Sequence, residues 1–214
     1  MSPLNPWRRS LEEIAMEVST EQDPQRFQKL VEELHNTLRA DELGRQVHLA
    51  PNNSQSSAEV NESIAYGEVV DDAVALMRSD YASLQMLFPA RGTGGELRLL
   101  AFRGFNPDAA RFWEWVSADS KSTCGIALRT TQRVVAPDIV ACHFMADSED
   151  QVVYIQTGIH ACQTTPLIGR AGNIVGMIST HWRRPHQPSE EDFRRFDVLA
   201  RRASDLIERS MRRA

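Results

Sequence analysis

Histidine and cysteine side chains lie close together in one stretch of the sequence. His160 and Cys162 are two residues apart in a segment that alternates like a β-strand, so both side chains should point to the same face. His181, on the strand predicted next, could join them. Imidazole and thiolate groups bind zinc and haem iron. The spacing is not that of a zinc motif, however, so a polar-lined pocket or a packed core is favoured, and no metal ligand is assigned.

Cys124 opens a predicted helix after a polar run at 117–123. A thiol at a helix N-terminus can have a lowered pKa, which would suit a redox sensor or a thiol-based reductase. Alternatively, Cys124, Cys142 and Cys162 are each small buried hydrophobic residues. No Ser-His-Asp order and no pair of carboxylates indicates an enzyme, so the sequence predicts no catalytic residue.

Two further residue types complete the set of candidates. Asp138 follows Pro137 and either accepts hydrogen bonds from a ligand or caps a turn. Trp113 and Trp115 are two positions apart in a predicted helix, so only one can face a sheet while the other contacts a pocket or a partner. The candidate ligand-binding residues are Trp113, Cys124, Asp138, His160, Cys162 and His181.

A β-hairpin is predicted to position the histidine and cysteine residues. The stretch 158–182 reads GIHACQTTPLIGRAGNIVGMISTHW. Its centre, 169–173, contains glycine and asparagine, which supply the positive φ of a tight turn, and β-branched residues follow. The sequence therefore predicts two antiparallel strands at the centre of the fold.

The remaining elements surround this hairpin. A glycine cluster at 91–95 joins two alternating segments, and because no Lys-Ser/Thr follows, it is interpreted as a hairpin loop and not as a phosphate loop. A capping pattern from Ser189 begins a long last helix with a wide apolar stripe. The other predicted elements are helices near 61–79, 108–116, 124–128 and 150–156, and strands at 82–88, 96–102 and 132–136.

Three regions follow from this pattern. Residues 1–50 form a helical segment, with helix starts at Ser10 and at Asp23-Pro24. Residues 51–60 are polar and form a linker. Residues 61–214 form the main domain, which ends in the long helix. The fold class is α/β in the broad sense, of the α+β type.

The text GI-x-A-x-Q-x-TPL, a glycine-containing turn and VGM-I-STH-W resembles the last strand pair of a GAF domain, over about Ile64 to Met211. The resemblance implies a central, mostly antiparallel sheet with the terminal helices on one face and pocket-forming helices and loops on the other. It further implies a parallel homodimer built from the first and last helices and from Phe27 to Leu38. The segment is similar to the GAF sensor domains found with bacterial histidine kinases.

The resemblance predicts a regulatory domain that senses a small molecule in a two-component type of pathway, with a histidine kinase or other signalling protein as a possible partner in trans. It also raises alternatives. Cys142-His143, with Asp138 upstream, resembles the bilin attachment pair of some relatives, but their serine, proline and tyrosine context is missing. A reductase of the free methionine sulfoxide type and a scaffold with a vestigial pocket remain open. The sequence names no cofactor.

Net charge, apolar runs and cysteine content limit the partners and the cellular location that the sequence allows. The net charge of -5 argues against a nucleic-acid partner, although the last helix is rich in arginine. No apolar run approaches the length of a membrane span, and no secretory leader is recognisable. Three cysteines without a disulfide spacing suit a reducing compartment. The sequence therefore predicts a cytoplasmic protein that does not insert into membranes.

Overall fold

The computed structural model describes residues 57–213 together with Met16, Glu17, Asp23, Arg26 and Lys29. The chain divides into two compact units, 1–54 and 55–214. Met16, Glu17, Arg26 and Lys29 are helical, but the bounds of the two predicted N-terminal helices, most of the predicted linker and the segment Phe27 to Leu38 lie outside the described residues. The predicted division into three regions stays a prediction.

The second unit contains five α-helices and six strands among the described residues. The helices are α1 (Ser57–Met77), α2 (Pro107–Phe112), α3 (Thr123–Thr130), α4 (Glu149–Gln156) and α5 (Glu190–Met211). The strands are β1 (Tyr81–Phe88), β2 (Glu96–Arg103), β3 (Trp115–Ser117), β4 (Val134–Ala136), β5 (Ala161–Ile168) and β6 (Ile174–Trp182). A short 3-10 helix spans His143–Met145.

The strands form one sheet in the order β3-β2-β1-β6-β5-β4, and every pair is antiparallel. The predicted hairpin is confirmed as β5 and β6, closed by a hydrogen bond from the Gly169 amide to the Asn173 carbonyl at 2.8 Å. Gly172, at φ +81°, supplies the positive φ of the turn. The pairing of β1 with β6 then joins the early and late parts of the chain at the centre of the sheet.

The back face of the sheet is covered by α1 and α5, as expected for the terminal helices. A capping box between Ser189 and Asp192 begins α5. Phe196, Ala203 and Ile207 on α5 are fully buried with Val70 and Ala73 of α1. None of the helices in the described part of the chain is long and apolar enough to cross a membrane.

The front face is covered by α2, α3, α4 and the loops between them, and it has its own core. Two predicted boundaries were wrong. The helix expected to reach Val116 ends at Phe112, because Trp115 begins β3, pairs with Arg98 and lies edge-on to Phe88. The first helix begins at Ser57 instead of 61, so the last part of the predicted linker is helical.

Close packing of α5 on the sheet depends on the missing side chain of Gly176. A Cβ there would collide with the Gln85 carbonyl oxygen of β1 and lie 2.9 Å from Ile207 Cδ1. Gly176→Ala should therefore lower the free energy of unfolding by about 1–3 kcal/mol, measured by urea denaturation. The control is Gly67→Ala within α1, where the new Cβ would lie at an ordinary 3.4 Å from Arg103. It should raise stability by up to about 1 kcal/mol, because alanine favours helix; equal effects of both changes would contradict this packing.

Candidate functional site

Polar side chains line the buried front face of the three central strands. The strand register aligns residues of β1, β6 and β5 in rows across the sheet. The rows are Tyr81–His181–Cys162, Ser83–Ser179–Thr164 and Gln85–Met177–Pro166. All except the half-buried Pro166 are buried beneath the covering helices. We call these nine residues the floor.

A hydroxyl network fastens α3 to the middle of the floor. Thr123 Oγ1 lies 2.8 Å from Thr164 Oγ1, which lies 2.8 Å from Ser179 Oγ. The Cys124 Sγ is 3.4 Å from both of these floor hydroxyls. Ser122 caps α3 by accepting a hydrogen bond from the Gly125 amide, which sets the first turn of the helix over the strands. Because hydroxyl groups both donate and accept, this part of the floor is satisfied without a ligand.

Two floor side chains have buried polar atoms without a hydrogen-bond partner. They are Gln85, at its Oε1, and His181, at both Nδ1 and Nε2. Burial lowers the pKa of His181 to about 3, so the ring is neutral near pH 7 and offers one N–H donor and one acceptor. Buried polar atoms without partners are costly and rare in native proteins. Gln85 and His181 are therefore the places where the floor is ready for a polar ligand.

Aromatic rings close over the His181 end of the floor. Trp113 is 4.6 Å from Tyr154 and 5.2 Å from Phe105 between ring centroids. His181 is 5.9 Å from Tyr154 and 5.4 Å from Phe105. The four rings thus form a closed circuit, which we call the ring circuit. Phe105 is its half-buried member.

A buried carboxylate lies beside the ring circuit. Asp150, in the first turn of α4, accepts a hydrogen bond from Trp113 Nε1 at 3.4 Å. Its other oxygen accepts from Ser120 Oγ at 3.0 Å and from the Lys121 amide at 3.1 Å. Asp150 therefore orients Trp113 and ties α4 to the loop before α3.

The structure brings four of the six sequence-predicted residues together. Trp113, Cys124 and Cys162 belong to the front core, and His181 contacts the rings of Phe105 and Tyr154. His181 and Cys162 are direct cross-strand partners.

Asp138 and His160 lie outside this group. Asp138 is half-buried and its carboxylate accepts a hydrogen bond from the Val140 amide at 3.0 Å, which is the turn role considered above. His160 is half-buried, comes just before β5, and donates its backbone N–H to the Trp182 carbonyl at 2.8 Å.

The sequence analysis did not identify most residues of the floor, or the residues of the helices and loops that cover it. Ser83 and Gln85 alternate with Ala82 and Leu84, and that alternation was read only as a strand pattern. The position of β1 in the sheet could have identified them. Because β1 is a central strand covered on both faces, its polar side chains must lie in the interior. Asp150, Tyr154 and Phe105 had no signal in spacing, since only the tertiary fold brings them to the floor.

The cysteines do not have the electrostatic setting of reactive thiols. Burial raises the pKa of Cys124, the opposite of the lowering expected at a helix start, because loss of solvent outweighs the hydrogen bonds from Ser179 and Thr164. Burial also raises the pKa of Cys142, and that of Cys162 to about 12. All three are free thiols. Within the described residues, no group of three or more His, Cys, Asp and Glu side chains is arranged to hold a metal ion.

Comparisons with known proteins identify the fold. The GAF domain family model matches residues 62–207. A domain of a putative two-component sensor histidine kinase from Sinorhizobium meliloti is 20% identical, with 75% of this chain and 97% of that chain covered and a TM-score of 0.56. The GAF domain of a phosphoenolpyruvate-protein phosphotransferase from Coxiella burnetii is 17% identical, with 81% and 92% covered and a TM-score of 0.59.

An enzyme has the same fold. Free methionine-R-sulfoxide reductase from Neisseria meningitidis, in complex with its substrate, is 17% identical, with 72% of this chain and 81% of that chain covered and a TM-score of 0.55. At these identities, the solved structures establish a shared fold and nothing further. The comparison with curated proteins gives no match.

The buried His181 makes stability depend on pH. Its folded pKa of about 3 lies below its ordinary value of 6.5, so the unfolded chain binds the extra proton between these values. Stability is therefore complete above about pH 6.5 and is lost as the pH falls toward 3, by about 2 kcal/mol between pH 7 and pH 5. Urea unfolding of wild type and His181→Phe at both pH values should show a smaller loss in the variant. The exposed His143→Gln serves as control and should keep the wild-type loss; an unchanged loss in His181→Phe would refute the assignment.

Proposed function

The chain belongs to the GAF domain family, and from that premise we propose that it is a regulatory domain that binds a small molecule on the floor and signals through α1 and α5. The observation that carries this proposal is the pair of buried, unpartnered side chains, Gln85 and His181. A core that served packing alone would gain stability from apolar residues at these positions. A binding site retains such groups because a ligand supplies the missing hydrogen bonds.

The strands that form the floor also support the signalling helices. β5 and β6 present Cys162 and His181 on the front and Leu167 and Ile178 to the back-face core beneath α5. A second link runs through Arg133, between α3 and β4. Its guanidinium donates to Thr165 Oγ1 at 2.8 Å, pairs with Asp197 of α5 and lies 4.3 Å from the Phe193 ring centre.

The proposed mechanism is a shift between two populated arrangements. A ligand that contacts the floor favours one position of α3 and α4. Because Arg133 ties the end of α3 to α5, that position biases the arrangement of the terminal helices. The ligand can change this equilibrium only by its difference in affinity for the two arrangements.

We further propose that the output is the pairing of α1 and α5 in a homodimer. Large apolar side chains are exposed on both helices, with Ile64 at 57% and Val198 at 62%. A groove between the helices combines apolar with charged lining, which suits a second copy better than open solvent. It is lined by Asp72, Ala75, Leu76, Arg78, Arg195, Val198, Leu199 and Arg202.

The wider setting is also part of the proposal. A cytoplasmic two-component pathway, with a histidine kinase or another signalling protein in trans, is supported by the likeness to the Sinorhizobium domain. The reductase alternative requires an accessible thiolate. The raised pKa values of all three buried cysteines disfavour it.

The ligand role of Gln85 can be separated from a structural role. Gln85→Met removes the unpartnered Oε1 at similar volume, so the stability of the ligand-free protein should stay within about 0.5 kcal/mol or rise. The melting-temperature increase produced by a binding metabolite, found by screening a metabolite panel against wild type, should be lost or greatly reduced. At about 100 times Kd that binding contributes about 2.7 kcal/mol in wild type.

The matched control is Gln163→Met on the back face. Gln163 Nε2 donates to Thr180 Oγ1 at 3.0 Å, and its Oε1 accepts from Thr165 at 2.9 Å. This variant should lose about 1–3 kcal/mol of stability and keep the ligand response, because its amide is satisfied within the protein. The proposal is wrong if no metabolite stabilises the wild type, or if Gln85→Met destabilises the protein as Gln163→Met does. Turnover of free methionine sulfoxide would favour the reductase instead.

The proposed dimer surface can be tested by introducing a charged side chain on the exposed part of α5. Val198→Asp places a carboxylate on the exposed part of α5 and should weaken dimerisation by about tenfold or more, because a charged group would lose its solvation and replace an apolar contact in the interface. The control is Val140→Asp, at an equal exposure of 62% in the loop after β4, which should leave association unchanged. Sedimentation equilibrium measures both. A wild type that is monomeric at high micromolar concentration would exclude this dimer.

A further inference from the structure

The ring circuit has the shape of an aromatic cage. Phe105, Trp113, Tyr154 and His181 follow one another at centroid distances of 4.6–5.9 Å, and adjacent planes are inclined by 40–56°. At these distances the rings are in contact with one another, and a small group that entered between them would meet several ring faces. The faces of aromatic rings carry partial negative charge and attract a cation within about 6 Å of the centroid.

The polar groups around the cage add negative charge to it. Asp150 is 9% exposed and its partners are neutral: an indole N–H, a hydroxyl and a backbone amide. It forms no ion pair within the described part of the chain. The first turn of α4 stabilises the carboxylate in part. Buried charges are ordinarily paired, so the site lacks a positive partner.

The nearby titratable groups do not supply that charge. His181 is neutral near pH 7 because burial lowers its pKa to about 3. Burial raises the pKa of Tyr154 well above its usual range, so its hydroxyl stays protonated. Arg183 lies at the edge of the floor, where its Nε donates to the Tyr81 hydroxyl at 3.0 Å.

We propose that the ligand of this site is an organic cation carrying a methylated ammonium group, held by the ring circuit beside Asp150. This inference rests on the proposed sensing function and specifies its ligand class. Methyl groups on the ammonium suit the apolar ring faces, while the charge is satisfied by the rings and by the carboxylate. The unpartnered nitrogens of His181, which is 2% exposed, meet the polar end of the same molecule.

Anionic ligands would bind poorly at the ring circuit. A phosphate or carboxylate there would face Asp150 and the negative ring faces without a cationic side chain in the circuit. A metal ion is also disfavoured, since the described residues hold no cluster of metal-ligating side chains. A methylated ammonium group needs no directional ligand set, and the cage provides none.

Access to the cage is through Phe105. This ring is half-buried and follows Gly104, which has φ +83°. The four rings now touch one another, so a ligand must move them apart, and Phe105 is the most exposed of the four. Trp113 and Tyr154 are only 5% and 1% exposed, so displacing Phe105 toward solvent disturbs the packing least.

The test uses choline and its uncharged isostere 3,3-dimethylbutan-1-ol with the full chain, at matched ionic strength, by isothermal titration calorimetry. Choline should bind at least about tenfold more tightly than the isostere, because only the charged compound gains the cation–π and carboxylate interactions. Phe105→Leu should lower choline affinity by about threefold to tenfold and leave isostere affinity unchanged. Phe144→Leu, at a ring with 37% exposure outside the circuit, should change neither. Asp150→Asn should lower choline affinity and leave isostere affinity unchanged, so the difference between them narrows to the contribution of the rings.

Each other outcome overturns the inference. If choline and the isostere bind equally, or choline binding is unaffected by Phe105→Leu, the cage does not select a cation. If choline does not bind but another metabolite stabilises the wild type and not Gln85→Met, the inference fails while the proposed sensing function stands. If neither choline nor any metabolite of the panel binds, both fail. Because Phe105 is half-buried, its variant folds even if Asp150→Asn does not.

Discussion

The structure depends on the antiparallel pairing of β1 with β6, which places three central strands between two covering layers. Strands covered on both faces are ordinarily apolar on both. Here the back face has an apolar core under the terminal helices, with Leu84 and Ile178, beside a hydrogen-bonded cluster of Gln163, Thr165 and Thr180. The front face also carries hydroxyl and amide groups that water cannot reach, together with an imidazole. In the layer above the floor, α3 satisfies part of these groups with Thr123 and Cys124 at its first turn.

The two faces differ in how tightly they are determined. On the back, Gly176 allows β1 and α5 to lie so close to β6 that one added methyl group would collide with the Gln85 carbonyl oxygen of β1 and crowd Ile207 of α5. On the front, Gln85 and His181 retain unpartnered atoms; Tyr66 Oη and Trp182 Nε1 do so on the back, but only Gln85 and His181 belong to the floor. A binding site requires a tightly packed sheet beneath polar atoms that lack hydrogen-bond partners. The sheet then keeps its geometry while the helices and loops over the floor adjust to a ligand.

Local patterns were sufficient to predict the hairpin and the long last helix, because alternation, glycine turns and capping residues act over a few positions. The antiparallel sheet with the terminal helices on one face was implied by the resemblance to GAF domains. The site was harder to predict. Cys162 and His181 were recognised because unusual residue types stand out, whereas Ser83, Gln85 and Ser179 look like ordinary solvent-facing strand residues until the cover is known. Cys124 is the small buried residue that was the alternative to a low-pKa thiol, because burial, a tertiary property, outweighs the helix terminus. Trp115 left its predicted helix because pairing with Arg98 in the sheet outweighed local propensity.

The order of the strands has a consequence for the behaviour of the protein at high concentration. Both outer strands, β3 and β4, are only three residues long, while the eight- and nine-residue strands lie inside the sheet. Where β5 extends beyond the last pair with β4, at Val134 and Thr164, it carries Pro166, which has no amide hydrogen to offer. Unpaired strand edges are the templates on which protein chains add to one another and aggregate. The outer strands of this sheet are short, and the unpaired part of β5 carries a proline. Both features disfavour the addition of a strand from another molecule.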